Sequence, residues 1–511
     1  MLLHQFFEQT VARRPEHIAL VCDGQRYSYA QLARRVDHLA AVLQQRGVNK
    51  GDRVALFLDN SLDMVVGVFA VLKAGGVFMP VNPLTKHDKL AYMLNDARVS
   101  ALITQQTLSG VYQFALGHNQ SVHTVLVSGL KDAGDACVAP LSTEPSPGAV
   151  STGAWQDPAL IDQDLAAIIY TSGSTGAPKG VVLTHLNMVS ANTSVSTYLG
   201  LRGDDIILCA LPLAFDYGLY QILMGFTVGA TVVLERSFTF PVKVLETMVR
   251  EQVTVFPGVP TMFAMLTNLK TLRDYTLTSL RMITNTAAAL SEAHIQQLRA
   301  LFPQATLFSM YGLTECKRVT YLPPDQLDKR PTSVGKGMPN EEVWLVDDQG
   351  QRLPNGSTGE LVIRGSNVMR GYWEKPQETA KRLKPGPMPG EMVLYSGDLF
   401  KTDAEGYLYF VSRKDDIIKS RGEKVSPREV ENALYAIDGV YEAAVVGVPD
   451  ELLGEAVKAF VVLKPEVQLS EREVIKQCLG RLESFMAPKY VEFVEALPKT
   501  DTGKIKKTGL A

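Results

Sequence analysis

The chain has 511 residues, of which 46% are hydrophobic and 21% are charged, and its formal net charge is −3. A chain of this length exceeds what one hydrophobic core usually supports, so we expect a soluble globular protein with at least two domains. A net charge this close to zero gives no general attraction to nucleic acid or to an anionic membrane surface, so neither is an expected partner.

The N-terminus and the cysteines indicate the compartment. The first eight residues, MLLHQFFE, lack the basic segment of a signal peptide. The longest apolar runs, such as 64–72, fall well short of the roughly 20 residues that span a bilayer. The five cysteines are odd in number and lack metal-ligand spacing, which favours reduced thiols, with Cys316 buried and inert. We therefore expect a cytoplasmic protein.

The first half of the chain alternates helical and strand patterns. Apolar residues at helical spacing cover 29–46, a buried strand pattern covers 52–58, a helix covers 62–74 and a strand follows at 77–81. This order predicts an α/β unit with parallel strands. The same pattern predicts further strands at 101–104, 124–127, 206–211, 231–234 and 253–255. Small and polar residues dominate 130–160, which predicts a loop.

The last third of the chain has a different pattern. From residue 343, short strands separated by turns predict a β-rich subdomain. A compact segment follows Arg413, with helices at 427–435 and 471–482 and strands at 443–448 and 456–463. We predict an α/β fold with two domains. Residues 1–414 form layered α/β subdomains plus the β-rich subdomain, and residues 415–511 form a small, mobile α+β domain.

A loop rich in Gly, Ser and Thr follows a strand pattern at 168–170. It contains Thr171, Ser172, Gly173, Ser174, Thr175 and Gly176 and ends at Lys179. Glycines let the backbone approach a polyanion, while exposed N–H groups, hydroxyls and a lysine supply donors and positive charge. The spacing is not that of a Walker A loop, because Ala-Pro-Lys-Gly follows Gly176. The pattern predicts a phosphate-binding loop.

This loop resembles the signature loop of the acyl-adenylate-forming superfamily. That superfamily includes acyl-CoA synthetases, firefly-type luciferases and the adenylation domains of nonribosomal peptide synthetases. The resemblance extends over nearly the whole chain, because further segments match other family motifs. These segments are 71–76 with 80–83, Tyr311-Gly312-Leu313-Thr314-Glu315, Tyr395-Ser396-Gly397-Asp398, 413–425 and 498–505. We assign the first of them, 71–76 with 80–83, to packing.

The resemblance implies a site for ATP. The loop and Lys179 would bind its phosphates, Tyr311 would flank the adenine, and Asp398 would accept hydrogen bonds from the ribose, with Arg413 as a second ribose or phosphate contact. Asn285, Thr286 and Ala287 occupy the adenine-contacting position, although the segment 284–290 lacks the usual glycine. Thr314 would contact phosphate or carboxylate, and Glu315 would hold Mg²⁺, a cation that prefers hard oxygen ligands.

The resemblance also implies a two-step reaction. The carboxylate of an acid attacks ATP to give an acyl-AMP and pyrophosphate, with Lys504 as the catalytic lysine. A thiol then takes the acyl group and AMP leaves. Between the steps the C-terminal domain would rotate about Asp415, withdrawing Lys504 and bringing Gly422 toward the thiol.

The acid and the thiol stay open at this stage. Residues 211–218 combine features of acyl-CoA synthetases with the Phe-Asp pair of amino-acid adenylation domains. A buried carboxylate needs a cationic partner, so Asp216 would pair either with a substrate ammonium or with Arg318. A plain acyl or aryl acid and an amino-bearing acid are both possible substrates. The expected pocket residues are Phe215, Asp216, Tyr217, Tyr220, Met310 and Arg318.

The thiol acceptor has two candidates. The chain ends seven residues after Lys504, so we expect a free-standing enzyme whose thiol belongs to CoA or to the phosphopantetheine of a separate carrier protein. Two other classes compete with this hypothesis. A luciferase-like oxygenase would share the ATP motifs, and a non-catalytic nucleotide-binding protein would lack Lys179, Glu315, Asp398 or Lys504.

Overall fold

The structure is a computed structural model. It describes residues 1–131, 137–144, 155–171, 177–286, 290, 292–420, 423–450, 453–482, 484–499, 505–507 and 509–510.

The helices in chain order are α1 Leu3–Arg13, α2 Tyr29–Gln45, α3 Leu62–Ala74, α4 His87–Asp96, α5 Ser109–Gly117, α6 His185–Leu199, α7 Asp216–Val228, α8 Pro241–Arg250, α9 Pro260–Thr267, α10 Glu292–Leu301, α11 Pro376–Arg382, α12 Pro427–Tyr435 and α13 Glu471–Leu479. The strands are β1 Ile18–Cys22, β2 Gln25–Ser28, β3 Arg53–Phe57, β4 Val77–Val81, β5 Ala101–Gln105, β6 Thr124–Ser128, β7 Val138–Pro140, β8 Leu165–Thr171, β9 Lys179–Thr184, β10 Ile206–Cys209, β11 Thr231–Leu234, β12 Val255–Gly258, β13 Met282–Asn285, β14 Thr306–Tyr311, β15 Thr320–Tyr321, β16 Lys336–Gly337, β17 Glu341–Val346, β18 Thr358–Gly365, β19 Gly371–Tyr372, β20 Leu383–Pro385, β21 Met392–Thr402, β22 Leu408–Arg413, β23 Ile418–Ser420, β24 Glu423–Val425, β25 Val440–Asp450, β26 Gly454–Leu463 and β27 Tyr490–Phe493.

Two large sheets form the body of the N-terminal part. One has the order β16-β15-β14-β13-β12-β10-β11-β1-β2, and the other has the order β19-β9-β8-β4-β3-β5-β6-β7. Strands β10 to β14 run parallel in the first sheet, as do β3 to β6 in the second. Every residue of β4 and of β11 is buried, as expected for parallel strands covered by helices on both faces. The predicted parallel α/β architecture is confirmed.

Local sequence explains where the elements between these strands begin and end. The Ser61 hydroxyl accepts a hydrogen bond from the Met64 N–H at the start of α3. The helix ends at Gly75, which has φ of +89°, a left-handed conformation that favours glycine. Both limits agree with the sequence prediction.

Two smaller sheets contain the last third of the chain. Strands β17, β18, β21, β20 and β22 form an antiparallel sheet, which is the predicted β-rich subdomain. The final sheet has the order β24-β23-β26-β25, with β27 paired to β26, and packs against α12 and α13. A short turn of 3-10 helix, Lys414–Asp416, joins the two sheets. The division at 414/415 into a fixed and a mobile domain stays a prediction.

Several predicted limits differ from the structure. Helix α13 ends at Leu479 instead of 482, and the strand expected at 253–255 lies at Val255–Gly258. The short strand β7 lies inside the segment 130–160 that was expected to be a loop, where it pairs with β6 at the edge of the sheet. Strands β23, β24 and β27 were not predicted, because short strands carry little periodic signal. None of the helices in the described ranges has both the length and the apolar character needed to cross a membrane.

Candidate active site

Tyr311 and Asp398 join a large sheet to the β-rich subdomain. The Tyr311 hydroxyl, at the end of β14, donates a hydrogen bond to Asp398 Oδ2 on β21 at 2.6 Å. The Tyr311 ring packs edge-on against Phe400, with 4.8 Å between the ring centroids. Burial raises the pKa of Asp398, although the bond from Tyr311 and the guanidinium of Arg413 oppose that shift. Arg413 lies opposite Asp398 in the β21–β22 register. Three residues predicted around the nucleoside therefore lie together.

The turn after β14 holds Glu315. Its Oε1 accepts a hydrogen bond of 2.7 Å from the Tyr372 hydroxyl on β19. Burial and the Glu315 carboxylate raise the pKa of Tyr372, so its hydroxyl keeps the proton that it donates. The turn requires glycine at position 312, because a Cβ there would lie 2.5 Å from the Lys317 carbonyl oxygen. Thr314 is half-buried in the same turn.

Lys179 begins β9 at the other end of the predicted phosphate loop. Its Nζ lies 2.5 Å from Glu378 Oε2 on α11 and 5.6 Å from the centroid of the Tyr372 ring. Hydrogen bonds from Lys179 and Lys381 lower the pKa of Glu378 to about 2. Across the loop, the Thr171 hydroxyl donates to the Lys179 carbonyl at 3.5 Å. Lys179 is therefore held by a carboxylate that competes with any phosphate for it.

The segment 367–373 connects these groups. The Met369 N–H donates to the Glu315 carbonyl oxygen at 2.7 Å, and the Trp373 N–H donates to the Gly180 carbonyl oxygen at 2.7 Å. Strand β19, within the segment, pairs antiparallel with β9. The turn that carries Glu315 and the strand that carries Lys179 are thus both hydrogen-bonded to one short stretch of chain.

The predicted acid-binding residues lie at the start of α7 and in the stretch after Glu315. Asp216 is the first residue of α7, and Phe215 caps that helix while half-buried. The Tyr217 hydroxyl hydrogen-bonds to Thr284 Oγ1 at 2.7 Å. Tyr220 and Met310 are almost fully buried, with 1% and 4% of their surfaces exposed. The Tyr217 and Tyr220 rings both lie beside one ammonium, since Lys317 Nζ is 5.4 Å and 4.3 Å from their centroids.

Of the two partners considered for Asp216, a substrate ammonium and Arg318, the second does not pair with it in the described part of the chain. Lys317 takes that place, with Nζ 3.7 Å from Asp216 Oδ2 and 2.9 Å from the Asp216 carbonyl oxygen. The Lys317 ammonium also lies 4.3 Å from the Tyr220 ring centroid. Burial lowers the pKa of Lys317 to about 7, with Asp216 opposing that shift. The backbone at Lys317 is left-handed, with φ of +66°, and the Lys317 side chain reaches the first residue of α7, so Lys317 lies where Arg318 was considered.

Arg318 is instead buried beside Thr286 and Tyr217. Its Nη1 donates to Thr286 Oγ1, and its guanidinium lies 5.2 Å from the centroid of the Tyr217 ring. Only 2% of the Arg318 surface is exposed. Thr286 and the neighbouring Asn285 are also buried, at the end of β13.

Other predicted site residues lie outside the part of the chain that the structure describes. They are Ser172, Gly173, Ser174, Thr175 and Gly176 of the loop, Ala287, Gly422 and Lys504. Asp415 lies in the Lys414–Asp416 turn. Cys316 is buried, as expected, and burial raises the pKa of its thiol well above the usual value.

Sequence reasoning missed Lys317, Tyr372 and Glu378. Lys317 stands two residues after the recognised Glu315, so a basic side chain in a buried stretch was the available signal. Tyr372 and Glu378 lie in the stretch 367–379, which contains a Gly-Tyr-Trp cluster but lies outside the recognised motifs. Their roles depend on contacts between distant segments, which periodicity does not reveal.

Comparison with known proteins agrees with this geometry. The AMP-binding enzyme family matches residues 7–373, and the AMP-binding enzyme C-terminal domain matches residues 429–504. A long-chain-fatty-acid–CoA ligase of Bacillus subtilis (strain 168) is 33% identical, over 98% of this chain and 93% of its own. Tyrocidine synthase 2 of Brevibacillus parabrevis is 32% identical over 99% of this chain, which corresponds to 14% of that protein.

Solved structures show the same fold over the whole chain. The anthranilate CoA ligase AuaEII in complex with anthranoyl-AMP has a TM-score of 0.89 at 28% identity, covering 100% of this chain and 96% of its own. ATP-bound MatB from Rhodopseudomonas palustris has a TM-score of 0.88 at 30% identity, covering 100% and 98%. The chain therefore belongs to the AMP-binding enzyme family of acyl-adenylate-forming enzymes and is an AMP-forming acid–thiol ligase.

Proposed function

We propose that this ligase adenylates its acid at the site bounded by Tyr311, Glu315, Lys179 and Asp398, and that the thiol acceptor is CoA. The observation that carries the proposal is the pair of hydrogen bonds Tyr311–Asp398 and Tyr372–Glu315. Together with the β19–β9 pairing, these bonds bring motif residues from three sheets to one place.

In the first step a carboxylate oxygen attacks the α-phosphorus of ATP. The bond from that phosphorus to the bridging oxygen breaks, and pyrophosphate leaves with the electron pair. No general base is required, because a carboxylic acid is ionised at neutral pH. The protein must bring two anions together, so orientation and positive charge supply the catalysis. We assign that charge to Lys504 at the carboxylate and to Lys179 at the pyrophosphate, with Thr314 donating nearby.

Asp398 and Tyr311 would hold the nucleoside. A carboxylate that accepts from Tyr311 through Oδ2 keeps its other oxygen for a ribose hydroxyl. Arg413, opposite Asp398 in the strand register, would contact the ribose or a phosphate. Asn285, Thr286 and Ala287 would face the adenine.

Glu315 fits a role as a Mg²⁺ ligand. Tyr372 uses Oε1, and Oε2 has no hydrogen bond to any residue in the described ranges. No group of three or more His, Cys, Asp or Glu side chains that could hold a metal ion occurs in the part of the chain that the structure describes. A single carboxylate suits Mg²⁺, which keeps several waters and shares phosphate oxygens. When bound, the ion would neutralise charge on the phosphates of ATP.

In the second step the thiol sulfur attacks the acyl carbon, the bond to the AMP oxygen breaks, and the thiol proton passes to solvent. We propose that the domain 415–511 turns about Asp415 between the steps, removing Lys504 and presenting Gly422 to the thiol. CoA is the proposed acceptor because the relatives that match this chain along almost their whole length include CoA ligases. The alternative acceptor is a separate carrier protein, which the similarity to tyrocidine synthase 2 supports.

Acid-dependent exchange of pyrophosphate into ATP tests the first step. Lys504→Ala is expected to slow the exchange by about 100-fold or more, since it removes a charge placed at the reacting atoms. The control is Lys506→Ala, which removes an exposed lysine two residues away and should leave the exchange unchanged. Full exchange in the Lys504→Ala protein would show that the assignment of this lysine is wrong.

Product analysis tests the acceptor. With ATP, an activated acid and CoA, we expect stoichiometric AMP and an acyl-CoA thioester. Exchange without thioester formation would argue for a carrier protein as the acceptor. Oxygen consumption coupled to adenylation would instead indicate a luciferase-like oxygenase.

A further inference from the structure

Arg318 is a buried cation without a carboxylate partner in the described ranges. Only 2% of its surface is exposed, and among the described residues its one hydrogen-bonding side-chain partner is the neutral hydroxyl of Thr286. The Nε atom is buried and has no hydrogen-bond partner, and no hydrogen bond to Nη2 is found within the same ranges. Nε and Nη2 form one edge of the guanidinium, and this edge has two parallel N–H donors.

Such an arrangement is costly unless something completes it. An arginine stays ionised in proteins, and a buried charge loses favourable hydration that only pairing and hydrogen bonding can offset. The Tyr217 ring centroid, 5.2 Å from the guanidinium carbon, offers a cation–π contact. The ring and one hydroxyl therefore leave the charge only partly compensated.

The nearby acidic residues do not supply the missing charge. Asp216 pairs with Lys317. Glu341 Oε2 accepts a hydrogen bond from the Asn367 amide, burial raises the pKa of the Glu341 carboxyl well above the usual value, and within the described ranges Glu341 forms no ion pair with Arg318. Asn367 in turn donates to the Arg318 carbonyl oxygen, not to its guanidinium. Two basic side chains, Lys317 and Arg318, thus follow each other in the chain, and Asp216 pairs with Lys317.

We propose that the open edge of Arg318 binds the second carboxylate of a dicarboxylic acid substrate. The proposal rests on the adenylation site described above and names the class of acid that it takes. Two parallel N–H donors match the two oxygens of one carboxylate, which is the pairing that arginine forms most strongly. Tyr217 and Tyr220 would pack against the chain or ring that joins the two carboxylates.

The carboxylate at Arg318 is the one that does not react. The reacting carboxylate loses its negative charge when its oxygen bonds to phosphorus. If Arg318 bound that carboxylate, it would therefore have no anionic partner in the acyl-AMP. A second carboxylate keeps its charge through adenylation and thiol transfer. The same reasoning disfavours an amino acid, because an ammonium beside Lys317 and Arg318 would add a third positive charge.

The experiment compares acids that share a carbon skeleton. Pyrophosphate exchange is measured with glutarate, valerate and 5-aminovalerate, then with the pairs succinate and butyrate, phthalate and 2-methylbenzoate, and sebacate and decanoate. For the best skeleton, we expect kcat/KM for the dicarboxylate to exceed that of the monocarboxylate by at least about 100-fold, since a buried polar site rejects an analogue that leaves it unpaired. The amino acid should be the poorest of its trio.

Arg318→Met then removes the charge and puts a long, unbranched apolar side chain in its place. We expect kcat/KM for the dicarboxylate to fall by at least about 30-fold and the monocarboxylate to become the better substrate. Arg318→Lys should restore part of the preference for the dicarboxylate. Arg299→Met is the matched control, because Arg299 is a half-exposed arginine that pairs with Asp328, and its loss should leave the substrate ratio unchanged.

A thermal unfolding measurement without acid gives a second readout. Because Arg318 has no carboxylate partner among the residues that the structure describes, the Arg318→Met protein should unfold at or above the temperature of the unsubstituted protein. A large drop would indicate that Arg318 is already paired within the protein and would contradict the proposal. Preferential use of monocarboxylic or amino acids, or an unchanged substrate ratio in Arg318→Met, would also overturn it. Absence of exchange with every acid would contradict the proposed adenylation itself.

Discussion

The Tyr311 hydroxyl donates to Asp398 Oδ2 at 2.6 Å, and this bond links the end of a parallel strand to the β-rich subdomain. Tyr311 thereby fixes the carboxylate that we assign to the ribose. Each residue also has a partner of its own, since the Tyr311 ring packs on Phe400 and Asp398 lies opposite Arg413.

Loss of the Asp398 carboxylate should weaken ATP binding more than acid binding. Asp398→Ala removes hydrogen bonds to a charged group, and each such bond contributes about 1.5–3 kcal/mol, so we expect the KM for ATP to rise by about tenfold to 100-fold. Tyr311→Phe keeps the ring packing and should give a smaller rise. Steady-state kinetics with each substrate varied in turn provide the measurement, and Tyr395→Phe is a control on the same strand. An increase confined to the KM for the acid would show that Asp398 lies in the wrong half of the site.

The ion pair between Lys179 and Glu378 competes with phosphate for the lysine. Glu378→Gln removes that competition, so we expect tighter ATP binding, by up to about tenfold for one charge-assisted hydrogen bond. Lys179→Met should weaken ATP binding. Calorimetric titration with a non-hydrolysable ATP analogue measures both effects. Lys381→Met is the control, because Lys381 contacts the same carboxylate from an exposed position. Weaker binding in Glu378→Gln would mean that the carboxylate positions Lys179 instead of competing for it.

Lys317 should make stability depend on pH above neutrality. Burial lowers its pKa to about 7, whereas a lysine in the unfolded chain titrates near about 10.4. Between these values the unfolded state binds more protons, so this contribution to the free energy of unfolding increases with pH from about 7 to about 10. The thermal unfolding midpoint across this range should rise less in Lys317→Met. The same rise in Lys317→Met and in the control Lys329→Met, at an exposed lysine, would contradict the assignment.

His4 and His185 should make the protein sensitive to acid. Burial lowers the pKa of both rings to about 4, and the ring centroids lie 6.0 Å apart. The neutral rings favour the folded state, so this stability is present above the unfolded pKa of about 6.5 and is lost as the pH falls toward about 4. His4→Leu should reduce the fall in thermal midpoint over that range. His118→Asn, at an exposed histidine, should not change it. Equal slopes in all three proteins would rule out the buried pair as the source.

Much of the architecture was predictable because the parallel strands are short, apolar and bounded by clear helix signals. Helix α3 is an example, with Ser61 at its start and Gly75 at its end. The motif residues Tyr311, Glu315 and Asp398 were predictable for another reason, since each belongs to a run of residues with a recognised pattern. The strands β23, β24 and β27 were not, because their pairing is fixed by tertiary contacts instead of local preference.

The partners of the site residues could not be predicted from one sequence. The pattern offered Asp216 a choice between a substrate amine and Arg318, and the structure gives it Lys317. The difference arises from the backbone turn at Lys317, which directs that side chain over Tyr220. Neighbours in the chain are readable from a motif, but the direction of a side chain after a left-handed residue depends on the packed surroundings.

The stretch 367–373 has a practical consequence for protein engineering. In the turn that contains Glu315, the Glu315 carbonyl accepts a hydrogen bond from the Met369 N–H, and the Cys316 carbonyl accepts one from the Asn367 amide. The Trp373 N–H donates to the Gly180 carbonyl on β9. In a chimera that joins two relatives within this stretch, the residues that contact the Glu315 turn would come from one parent. The residues that contact β9 would come from the other parent. Crossover points for exchanging acid pockets therefore belong on either side of it, so that the segment and both of its docking partners are inherited together.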